Sequence, residues 1–135
     1  MEIVRDYPPI FDEIDERFHT RGTPVIYAWG DRIFNPMGVK VDFPLFCHEK
    51  VHGARQIEGG SIEDWWRRYI AEDEFRLHEE ILAHQAEYNA AIRDASTRQQ
   101  RRLILGAVSR KLAAPLYGRL ITEEKARRVV KGTYG

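Results

Sequence analysis

Phe43-Pro44-Leu45-Phe46-Cys47-His48-Glu49-Lys50-Val51-His52-Gly53-Ala54-Arg55-Gln56 is the stretch around which the rest of the chain is read. From His48 to His52 it spells H-E-x-x-H between apolar flanks. On a helix, residues i and i+4 lie one turn apart on the same face, which suits two imidazole nitrogens on one tetrahedral Zn²⁺. Glu49 projects beside them, where it can take a proton from a zinc-bound water. With five histidines and 13 glutamates in 135 residues, chance alone gives about 0.02 such matches. The alternative is a solvated helix face, so the context has to decide. The motif helix is expected from Leu45 to about Glu58, with Gly59-Gly60 ending it.

Upstream, Ile10, Phe11, Ile14 and Phe18 recur at helical spacing behind Pro8-Pro9, which predicts a first helix over Tyr7 to Phe18. Pro24 to Trp29 is β-branched and aromatic, Gly30-Asp31 supplies turn chemistry, and Arg32 to Pro36 reads as the return strand of a hairpin. Val39, Val41 and Phe43 alternate with Lys40 and Asp42, which predicts a third strand from Val39 to Phe43. Downstream, Ser61 caps a helix through Trp65 to Ile70, and a longer helix runs from about Asp73 to Ala95. Arg101 to Leu116 follows with Leu103, Ile104, Ala107, Val108, Leu112 and Leu116 on one side, and Pro115 kinks or ends it. Thr122 starts a last helix reaching Val130, and Gly132 to Gly135 is expected to fray. The expected fold is α+β: a small three-stranded antiparallel sheet on the motif helix and a following helix, with further C-terminal helices.

The length fits one domain over residues 1–135, and 43% hydrophobic with 11% aromatic residues is a globular composition. No apolar run approaches the ~20 residues of a membrane span, and no secretory signal is visible, so a soluble, cytoplasmic protein without membrane contact is expected. Cys47 is the only cysteine, which excludes an internal disulfide and a cysteine-cluster zinc site. His and carboxylate remain as metal ligands. The net charge of zero conceals an asymmetry. Residues 98–135 carry ten Lys/Arg against Glu123 and Glu124, a surplus of eight positive charges balanced by eight negative ones in the first 97 residues. No aromatic residues interleave with the arginines from Arg98 to Arg110, so nucleic acid is not the expected partner.

A catalytic zinc wants three protein ligands and one open position. Arg55 and Glu58 stand where the H-E-x-x-H-x-x-G-x-x-H pattern needs Gly and His, which excludes that class. A carboxylate from the run Glu72 to His84 must then complete the site. Glu80 is preferred, because Ala83 one turn on lets two helices approach closely and His84 at i+4 shares its side. Glu79, about 100° around the helix, is the alternative. His84 reads as a donor near the metal or an oxyanion stabiliser, or else as a partly exposed polar residue. His19 and His78 read as solvent-facing, and Cys47 as a small buried residue.

Phe43 to Gln56 together with Tyr69 to Ala83 resembles the compact gluzincin-type H-E-x-x-H zinc metallopeptidases, including those of phages and bacteria. The resemblance spans roughly residues 24–90. It implies His48, His52 and Glu80 as zinc ligands and Glu49 as catalytic base. The chain departs from the pattern at Leu82, where an acidic residue often precedes the Ala, and at His84, where Tyr or Asp is frequent. The function expected is zinc-dependent hydrolysis of a peptide or protein substrate. Such a substrate would be bound by strand addition along Val39 to Phe43, with His84, Tyr69 or Tyr88 as oxyanion candidates. The competing class is a non-enzymatic module whose basic C-terminal helices bind nucleic acid or an acidic partner.

Overall fold

The computed structural model describes residues 1–133; Tyr134 and Gly135 of the expected tail lie outside the described residues. The motif helix, α2 (Phe43–Glu58), starts two residues earlier than its apolar pattern suggests. Asp42 is its N-cap, accepting from the Leu45 amide at 3.0 Å, and Pro44 falls in the first turn, where a missing amide costs nothing. That cap removes the predicted third strand. Residues 39–42 are not in a strand, and both backbone groups of Val39 are taken by the Asn35 side chain, at 2.9 and 2.8 Å. A ladder partner has nothing to bind there.

The third strand lies instead at the N-terminus. β1 (Glu2–Val4) pairs in parallel with β3 (Arg32–Phe34), and β3 pairs antiparallel with β2 (Tyr27–Trp29). The sheet is therefore mixed, in the order β1-β3-β2, and not the all-antiparallel meander the alternation predicts. Gly30 makes the hairpin turn at φ 61°, a conformation that favours glycine. α2 lies against this turn through Gly53: a Cβ there would come within 2.0 Å of the Gly30 carbonyl oxygen. Gln56, fully buried, fastens the same contact by accepting from the Gly30 amide at 2.7 Å and donating to the Ala28 carbonyl at 3.1 Å.

Among the described residues there are six α-helices. α1 (Phe11–Phe18) starts later than the expected Tyr7, because Ile10 is left-handed at φ 52° and breaks the run from Pro8-Pro9, and of the expected apolar stripe it buries Phe11 and Ile14. α3 (Ile62–Ala71) begins at Ser61, whose hydroxyl accepts from the Asp64 amide, and buries Trp65, Trp66 and Tyr69. α4 (Asp73–Ala91) is followed by a 3₁₀ turn, Ile92–Asp94, and then by extended Ala95. α5 (Arg98–Leu112) starts earlier than expected, from a capping box between Thr97 and Gln100. It buries Leu105, Val108 and Leu112, whereas Leu103 is 66% exposed, so the buried face is rotated from the one expected. A 3₁₀ turn at Pro115–Tyr117 leads to α6 (Glu123–Arg128), capped by Thr122.

Two apolar clusters result. Phe11, Ile14, Tyr27, Phe34, Trp65, Trp66 and Tyr69 join the sheet to α1 and α3. Ile81, Tyr88, Leu105, Val108, Leu112, Ala126 and Val130 join α4 to the C-terminal helices. α2 and α4 run side by side, and the groups they bury along their shared seam are mostly polar.

Candidate metal centre

Burying charge without a partner is costly, so a row of sunken His and Glu side chains asks for an explanation. α2 supplies His48, Glu49 and His52, each no more than 6% exposed. α4 supplies Glu80, His84 and Glu87, spaced so that one face of the helix points all three at α2. His48 Nε2 lies 3.3 Å from Glu80 Oε1, and His52 Nε2 lies 2.9 Å from Glu80 Oε2. Two donors each bound to a tetrahedral zinc at its usual N and O distances sit about 3.3 Å apart, so these separations are near those of a shared ion. Glu80 Oε1 and His84 Nε2 are buried without a hydrogen-bond partner. The donor set and these unpaired atoms fit a candidate metal site among His48, Glu49, His52, Glu80 and His84.

The hydrogen bonds around the cluster orient it. His48 Nδ1 donates to Glu87 Oε1 at 2.9 Å, which leaves Nε2 facing Glu80. Glu87 is itself held by Lys111 Nζ on Oε2 at 2.5 Å. A carboxylate on the far nitrogen of a liganding histidine fixes its tautomer and raises its basicity. Tyr69 Oη donates to Glu80 Oε2 at 2.5 Å, so this tyrosine is already committed to the carboxylate. Glu79 points elsewhere: it accepts from Arg55 Nε and from Trp65 Nε1, each at 2.8 Å, and ties α4 to α2 and α3.

Without a metal the cluster is a dense set of coupled charges. Burial opposes a charged His48, but the Glu80 and Glu87 carboxylates against its two ring nitrogens outweigh it and push its pKa up to about 10. Burial would raise Glu80 and Glu87; the neighbouring histidines hold Glu80 well below the carboxylate range, and His48 with Lys111 takes Glu87 down to about 2. Burial raises the Glu49 carboxyl despite the pull of His48 and His52, which moves a prospective base toward neutrality. His84 is pushed down to about 4 by burial and by His48, so it is neutral.

The cluster opens onto a cleft. His48, Glu49, His52 and Glu80 form its polar end, while Phe18, Val25, Trp66 and Leu116 supply apolar wall. Tyr117 lines it too, and burial with the Glu80, Glu49 and Glu87 carboxylates raises its phenol well above 10, so it keeps its proton. Tyr88 is part of the C-terminal apolar cluster and does not line the cleft. His19 is exposed and His78 half-buried.

Glu87, Lys111 and Tyr117 are absent from the sequence reading. Glu87 was findable, since it lies seven residues beyond Glu80 on the same face. Lys111 and Tyr117 arrive from distant elements and leave no local signal. No protein-family model, curated protein or solved structure matches the chain.

Proposed function

We propose that the protein is a zinc-dependent peptidase of the compact gluzincin type, with His48, His52 and Glu80 holding the metal and Glu49 as general base. The observation that carries the reading is the H-E-x-x-H helix set against the Glu80 carboxylate at ligand distances, with Glu49 buried in the same cleft. Zinc bound there would supply a Lewis acid that acidifies water and polarises a carbonyl. Glu49 takes the proton of the attacking water on its carboxylate and returns it to the leaving amine, and its burial-raised pKa suits both transfers. Glu87, through His48 Nδ1, keeps Nε2 free for the metal. Tyr117, beside Glu80, keeps its proton and presents an O–H at the cleft wall, and the apolar wall takes a hydrophobic side chain of the substrate.

Substrate binding by strand addition along Val39 to Phe43 is withdrawn, since those residues form no strand. The sheet edge beside the cleft is β2, and its Ala28 carbonyl is occupied by both Gln56 Nε2 and Trp66 Nε1.

Zinc content and peptide hydrolysis test the reading together. The purified protein should carry one zinc and cleave peptides with a bulky apolar residue next to the scissile bond. Glu49→Gln should keep the zinc and lose about 10²-fold or more in turnover. Undiminished turnover in that variant would remove Glu49 from the mechanism.

A further inference from the structure

We propose that His84 is a fourth protein ligand of the same ion, so that the centre comprises three imidazoles and one carboxylate. The inference rests on reading the His48, His52 and Glu80 cluster as a metal site.

A ring nitrogen of His84, one of His48 and a carboxylate oxygen of Glu80 lie within 4.8 Å of one another. The His84 and His48 rings are 4.6 Å apart, and the Nδ1 edge of the His84 ring is 3.4 Å from Glu80 Oε1. His84 is thus packed against both His48 and Glu80.

Hydrogen bonding narrows the role of the imidazole. His84 Nδ1 is 2.7 Å from the Glu80 carbonyl oxygen, which can only accept, so Nδ1 carries the proton. In the neutral ring, Nε2 is then a bare lone pair. It is fully buried and no donor reaches it. A buried acceptor left unpaired is costly, and an apolar residue at position 84 would avoid the cost. Coordination turns it into a bond.

A set of three imidazoles and one carboxylate favours Zn²⁺ and the imidazole-binding transition metals over Mg²⁺ or Ca²⁺. With four protein donors, admitting water requires either a fifth coordination position or the loosening of one donor.

X-ray absorption at the zinc edge of the loaded wild-type protein counts the imidazoles directly. Three are expected. Two would overturn the inference while leaving the His48, His52 and Glu80 site intact, and failure of the wild type to bind zinc would overturn both. Competition with a chromophoric chelator gives a second readout. His84→Gln should weaken zinc affinity at least about 10-fold. His52→Ala should still bind one zinc measurably through His48, Glu80 and His84. Unchanged affinity in His84→Gln, or complete loss in a folded His52→Ala protein, would also overturn the inference.

Discussion

At the scale of single residues, Glu87 shows how much of the site is orientation. Its two oxygens are divided between His48 Nδ1 and Lys111 Nζ, so it couples the metal-facing imidazole to a cation on α5. Removing the carboxylate leaves a buried N–H unpaired and frees the ring to change tautomer. Glu87→Ala should therefore weaken zinc about 10- to 100-fold in a chelator competition. Glu87→Gln, whose amide oxygen still accepts from Nδ1, should lose less; equal losses in the two variants would show that charge and not tautomer control is at stake. Arg76 acts similarly for the tyrosines. Fully buried, it donates to the carbonyl oxygens of Tyr69 at 2.7 Å and Tyr117 at 3.0 Å, and so fixes the backbone of both residues that approach Glu80. The histidine pair and Glu80 were legible because they obey helical spacing. Glu87 obeys it too, at two turns from Glu80, but its partner His48 lies 39 residues away and no local pattern announces the pairing.

At the scale of elements, the N-cap of α2 decided what the alternation of Val39, Val41 and Phe43 could not. Period-two patterning marks a pleated surface only where a neighbouring strand takes the backbone groups. Here Asn35 takes them, and Asp42 with Pro44 begins a helix. The true third strand is three residues long and pairs in parallel across a connection of more than twenty residues, so neither length nor turn chemistry betrays it. Helices fared better, because capping residues such as Ser61 and Thr122 state their own beginnings. What holds α2 to the sheet is the absence of a side chain at Gly53. In Gly53→Ala the new Cβ meets backbone oxygen, which cannot rotate aside, so helix and hairpin must separate. The variant should lose about 1–3 kcal/mol or more in chemical denaturation. A loss below about 0.5 kcal/mol would mean that the hairpin yields more readily than its buried Gln56 clamp implies.

At the scale of the molecule, part of the segregated charge of the sequence is taken up in local pairs. Arg110 and Arg127 both approach Glu123 within the C-terminal part, and Lys111 crosses to Glu87. Arg98, Arg101 and Arg102 are exposed on α5. The seam between the two apolar clusters thus holds the chain's most concentrated buried charge, and the C-terminal helices reach it through Lys111 and Tyr117. Because that seam joins the sheet-side cluster to the C-terminal one, whatever satisfies its polar atoms stabilises both. A ligand that binds only the folded state stabilises it by RT ln(1 + [L]/Kd), about 2.7 kcal/mol at a free concentration 100 times Kd. For a chain of this length that corresponds to a rise in Tm on the order of 10 °C. Scanning calorimetry of the chelator-stripped protein, with and without zinc at that excess, should show this rise as a shift of the whole cooperative transition. Glu49→Gln should show it too, since Glu49 is not a ligand, whereas His48→Ala should show a smaller rise. A zinc-dependent Tm in His48→Ala equal to that of the wild type would place the metal away from the α2 and α4 seam.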